Sequence, residues 1–131
     1  MLRVTLAAVF AGLFVVPASA APLALGFRVS NAVACVVDKG AVRCDVRGTL
    51  SPKPTAACTS RWRGVSLRST GRPQVVCDRT TVFSTRLPTV ATGSAYAFPG
   101  GITCLVKASG ASCSNNARHG FTLTPTRWTR H

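Results

Sequence analysis

The sequence contains no glutamate, and its only side-chain carboxylates are Asp38, Asp45 and Asp78; histidine occurs twice, at His119 and His131. Few groups are therefore left for acid–base chemistry or for holding a cation. No CxxC pair occurs, which argues against the closely spaced ligand pairs of a structural zinc site and against a thioredoxin-like redox site. Helical periodicity is also missing: prolines and glycines recur every few residues, and no apolar set repeats at three and four over a dozen positions. Beyond the apolar run Leu6 to Val16 no segment approaches the roughly 20 residues that span a bilayer, so an integral membrane protein is not expected.

What is present is basic. Sixteen Lys and Arg against three Asp give a formal charge of +13. The opening MLRVTLAAVFAGLFVVPASA places Arg3 before the apolar run and Ala18-Ser19-Ala20 after it, the pattern of a secretory signal peptide, so residues 1–20 are expected to be removed. Residues 21–131 then read as one exported domain, its core at about 27–124, followed by a flexible basic tail. The positive field attracts polyanions, acidic lipid surfaces or acidic wall polymers, more weakly as salt rises. A background bias toward arginine would give the same composition.

All six cysteines, at 35, 44, 58, 77, 104 and 113, lie in that domain, and an even count in an exported chain reads as three disulfides. ACVVDKGAVRCDV gives the clearest geometry. A two-residue turn at Lys39-Gly40, with glycine supplying positive φ, pairs Val37 with Val42, Cys35 with Cys44 and Val33 with Val46 on one face. Cys35 and Cys44 then occupy a non-hydrogen-bonded pair, where backbones approach closely enough to bridge. Arg43, Asp45 and Arg47 point the other way, where Asp45 is expected to make surface ion pairs worth under about 1 kcal/mol each. CLVKASGASC repeats the spacing between Cys104 and Cys113, with Ser109-Gly110 in the turn region and the register open between a two-residue turn and a bulged loop. Cys58 and Cys77 remain and are expected to pair. Such short loops put each bridge at about 2 kcal/mol or somewhat more.

GTLSPKPTAAC, with Pro52 and Pro54, reads as an extended connector. Tyr96 and Phe98 share a face before the Pro99-Gly100-Gly101 turn, and GFTLT, stopped by Pro125, is expected to be the last strand. The fold class is therefore all-β: a small antiparallel sheet, barrel-like or sandwich, of about eight short strands stapled by disulfides.

The candidate binding segment is RWRGVSLRSTGR, in which Arg61, Arg63, Arg68 and Arg72 surround Trp62. Arginine forks grip phosphates or carboxylates and an indole stacks on a ring. The competing reading has Trp62 filling the core and the arginines merely solvated. His119, inside NNARHGF, is either a structural bridge beside a glycine turn or the base of a small hydrolase, and no spacing identifies a partner for it. No metal site and no cofactor are expected.

Phe27, Cys35, the run Val42-Arg43-Cys44-Asp45, then Cys58, Trp62, Gly64 and Cys77, and finally Gly101, Cys104, Gly110, Cys113, Asn115, His119, Gly120, Phe121 and Leu123, together form a series of spaced motifs. In this the chain resembles the actinobacterial six-cysteine secreted family, whose members read F-x-x-P-S-G-N-I-x-C, V-R-C-D-I and G-H-G-F-x-L-S, over about residues 27–124. That family is of unknown function, so the resemblance implies export and a disulfide-rich domain without an activity. The chain departs from it at VSNA, at TLSPKP, which lacks the usual tryptophan, and at Thr92 in place of tyrosine. The functional expectation is a secreted, non-catalytic module that binds anionic cell-envelope or extracellular polyanionic material. The alternative is an inhibitor that blocks a partner enzyme with rigid stapled loops.

Overall fold

A computed structural model describes residues 26–53, 58 and 61–131. The expected signal peptide at 1–20 and the connector residue Pro54 lie outside them. The described chain forms ten strands: β1 Gly26–Val29, β2 Val33–Asp38, β3 Ala41–Val46, β4 Trp62–Arg68, β5 Gln74–Cys77, β6 Ala95–Phe98, β7 Ile102–Val106, β8 Ala111–Ser114, β9 Gly120–Leu123 and β10 Trp128–Arg130. Strands β1 to β5 make one antiparallel meander and β6 to β10 a second, each of five strands in sequential order. Among the described residues there is no helix, and so none long and apolar enough to cross a membrane.

The two meanders form an open sandwich, not a barrel, because their apolar faces share one core. Phe27, Val33, Val42, Val65 and Leu67 of the first sheet pack with Tyr96, Phe98, Ile102, Val106, Phe121 and Leu123 of the second. Phe27 lies 4.8 Å from the Tyr96 ring and 6.0 Å from Phe98, so aromatic contacts tie the sheets at one side. Both connectors seal edges. Arg28 of β1 exchanges backbone hydrogen bonds with Pro88 and Val90, and Ser51 does so with Thr126 and Trp128 beside β10, which removes two edges that would otherwise invite pairing with another chain.

The first hairpin has the expected register: Cys35 faces Cys44 and Val33 faces Val46, with Lys39 and Gly40 both at positive φ. In the second hairpin Cys104 faces Cys113 and Val106 faces Ala111, and the Lys107 N–H donates to the Gly110 carbonyl. The turn is therefore Ala108-Ser109, and Gly110 is needed for a different reason. A Cβ there would collide with the Leu123 carbonyl of the neighbouring strand. The three bridges join Cys35 to Cys44, Cys58 to Cys77 and Cys104 to Cys113, which suits an oxidising, extracellular-type environment.

The meanders repeat each other. Each carries its bridge between its second and third strands, and each places a glycine, Gly64 or Gly120, where a Cβ would strike the carbonyl of the bridged cysteine next door, Cys44 or Cys113. Face-to-face packing brings the two bridges together at the centre, with Cys44 Sγ 3.9 Å from Cys113 Sγ. The Cys35, Cys44 and Cys113 sulfurs lie within 4.8 Å of one another. All three are spent in disulfides, and a metal takes thiolates. The juxtaposition gives a test of the packing: oxidised Cys35→Ala/Cys104→Ala is expected to join Cys44 to Cys113 across the sheets. That bond closes a far longer loop, constraining the unfolded chain by about 4 kcal/mol against somewhat more than about 2 for either native bridge. Peptide mapping of the folded variant checks it, and two unmodified thiols would refute the packing.

Three expectations are corrected. The described residues form ten strands where about eight were expected, because the chain adds β1 before the first hairpin and β10 after GFTL. The segment assigned to a flexible tail is ordered: Trp128 is only 6 % exposed, packs edge-on at 5.4 Å against Trp62, and donates its indole N–H to the Pro52 carbonyl at 2.7 Å. Asp45 is not a surface group. It is 0 % exposed, because residues 78–82 fold over the outer face of β3.

Candidate functional site

The bulk imbalance of charge becomes a spatial one. All three aspartates converge on a single guanidinium, Arg43, itself nearly buried. Asp45 takes Arg43 Nε at 2.8 Å and Nη2 at 2.9 Å as a two-pronged pair, and its second oxygen also accepts the Val82 N–H at 3.0 Å. Asp78 receives Nη1 at 2.7 Å, and Asp38 stands 3.9 Å away. Burial alone would lower the Arg43 pKa, but the hydrogen bonds and charges of Asp45 and Asp78 prevail and raise it. The Asp78 carboxyl is held well below the usual carboxylate range, first by the Thr80 N–H and then by Arg43. Every other lysine and arginine among the described residues is left without a carboxylate partner.

The four candidate arginines do not form one patch. Arg63 is the extra residue of a bulge, since Trp62 pairs with Cys77 and Gly64 with Val76. Its guanidinium is turned onto the carbonyls of Asp78 and Arg79, at 3.1 and 2.6 Å. Arg61 donates to the Arg47 carbonyl at 3.0 Å and, with Trp62, Leu50 and Lys53, borders a recess of about 310 Å³. Trp62 is half-buried, its N–H satisfied by the Gly64 carbonyl at 2.7 Å. Arg68 and Arg72 are exposed on the far side of β4, near and in the loop to β5.

There the fold assembles something the linear order hides. Arg72 and Pro73 from the β4–β5 loop, His119 from the β8–β9 turn, and Arg130 and His131 from β10 and its end line a cleft of about 390 Å³. Neither aspartate nor glutamate is among its lining side chains. His131 is held by a reciprocal pair of backbone hydrogen bonds with Gly120, at 2.8 and 3.0 Å, and its ring lies over that glycine; a Cβ there would stand 2.7 Å from the ring. Arg130 extends over the Trp128 ring, 5.1 Å from its centroid.

Asn115 makes the cleft possible. It is 7 % exposed, and its amide uses its full capacity. Nδ2 donates to the carbonyls of Arg68 at 2.9 Å and Gly71 at 3.0 Å, while Oδ1 accepts from the Ala117 and His119 N–H groups at 3.0 and 3.1 Å. One side chain thus joins the loop carrying Arg72, in the first sheet, to the turn carrying His119, in the second. Asn115 belongs to the spaced motifs of the sequence without a role read for it there, although it stands two residues after a cysteine and four before His119, where an Asx turn is a natural reading. No family model, no curated protein and no solved structure matches this chain.

Proposed function

We propose that this protein is a secreted, non-catalytic module that binds anionic polymers of the cell envelope or the extracellular medium. The observation that carries the reading is the segregation of charge: the three aspartates gather on Arg43, and the other lysines and arginines among the described residues have no carboxylate partner. A sandwich stapled by three disulfides holds those groups at fixed positions, which lowers the entropy lost when a polymer docks. The stapling and the reading of residues 1–20 as a leader both support export.

The mature chain, residues 21–131, passed over immobilised heparin and over a glycerol-phosphate polymer tests this. Retention is expected at ~0.1 M NaCl, with log K falling linearly as log salt rises, the signature of counterion release. Absence of retention on both matrices at that salt would refute the proposal. Salt-insensitive capture of one protein would instead support the inhibitor reading.

A further inference from the structure

We propose that the cleft between Arg72, His119, Arg130 and His131 is a discrete site for one tetrahedral oxyanion, a phosphate or sulfate group borne on a saccharide or polyol chain. The proposal rests on the polyanion reading and narrows it from a diffuse field to a single pocket. Four nitrogen-bearing side chains from three separate elements face one space of about 390 Å³, which accommodates a small oxyanion together with part of its carrier. Guanidinium groups match tetrahedral oxyanions as two-pronged donors, and imidazoles add single directed donors.

The site is braced and not fortuitous. Asn115 fixes the loop of Arg72 and the turn of His119 together, the paired backbones of Gly120 and His131 fix the other wall, and the Trp128 ring supports the Arg130 guanidinium. Gly120 is required by the Cys113 carbonyl, which a Cβ would strike, and its bare backbone also leaves room for the His131 ring above it. Arg43, buried and saturated by carboxylates, shows the opposite state of an arginine in the same fold, and the cleft arginines have no such partner.

The test uses the mature chain at pH 6 and constant ionic strength, with sodium sulfate replacing sodium chloride, while the two histidine ring signals are followed by NMR. Saturable shifts of both rings are expected, with sulfate affinity reduced about tenfold in Arg72→Gln or Arg130→Gln. Arg86→Gln, outside the cleft, is expected to leave the affinity unchanged. Competition between glycerol phosphate and a sulfated disaccharide then separates the two sources, the tighter competitor naming the carrier. Ring signals that move no further with sulfate than with chloride, or equal losses in Arg72→Gln and Arg86→Gln, would overturn the site. If polymer retention persists in that case, the general reading stands without it; if retention is also absent, both fall.

Discussion

Asp45→Ala is expected to destabilise the fold by about 3–5 kcal/mol, the usual cost of removing one partner of a buried ion pair. Asp45 is fully buried and joins two structures at once: its carboxylate neutralises Arg43 and accepts the Val82 N–H and the Thr81 hydroxyl. Without it, Arg43 keeps Asp78 and the Thr80 carbonyl, but its Nε loses its acceptor inside the protein. The loop 78–83 also loses the hydrogen bonds that the Val82 N–H and the Thr81 hydroxyl donate to Asp45. Urea titration reads the effect as a lower midpoint at little-changed slope. A paired replacement, Arg43→Met with Asp45→Leu, is expected to recover part of the loss, because it removes the guanidinium whose buried Nε would otherwise lack an acceptor, while the Val82 N–H still loses its own. A single-variant loss below about 1 kcal/mol would mean that the pair is solvated after all.

The same network sets a pH dependence. The Asp78 carboxyl stays ionised in the folded chain below the ~3.9 at which an unfolded aspartate protonates. Its folded pKa is depressed, so the unfolded chain binds more protons in that range. The contribution to stability is complete above about pH 4 and is lost as pH falls toward the folded value. Asp78→Asn is expected to flatten the acid limb of the stability curve.

Asn115→Asp is expected to be the other severe change, at about 3 kcal/mol or more. The substitution preserves shape and both accepted hydrogen bonds. It replaces the amide nitrogen, however, with an oxygen facing the carbonyls of Arg68 and Gly71, so that three acceptors meet with no donor among them. Asn115→Ala is expected to be milder, since it leaves the carbonyls unpaired without adding a buried negative charge. Both changes release the loop carrying Arg72 from the turn carrying His119, so sulfate affinity is expected to fall in the Asn115→Ala protein under conditions where it remains folded. Chemical denaturation and hydrogen exchange at the His119 amide measure the two effects separately. Equal stability of the Asp and Asn proteins at pH 7 would contradict the hydrogen-bond assignment.

Much of this fold follows from local pattern. Lys39-Gly40 between alternating valines dictates a tight turn, the turn dictates the register, and the register sets Cys35 against Cys44; the same spacing foretells the partner hairpin. These are short-range consequences of period-two side chains and of positive φ, and they need no knowledge of the rest of the chain. The outer face of β3 is a different matter. Arg43 and Asp45 alternate as solvent-facing residues should, and only the return of residues 78–82 over them turns a surface pair into a buried one. Trp128 likewise sits in a basic, polar terminal segment that looks frayed until Trp62 and the Pro52 carbonyl supply its partners.

The sequence by itself determined the all-β class, the three bridges, the two hairpins and the excess of positive charge, because each depends on composition or on partners 9 to 19 residues apart along the chain. Tertiary structure alone decided where the charges ended up. Asp38, Asp45 and Asp78 meet on one arginine, and Arg72, His119, Arg130 and His131 meet in one cleft, because two meanders stack face to face and bring distant loops to a common side. Contacts between groups so far apart along the chain follow from the packing of whole sheets, and no local periodicity encodes them.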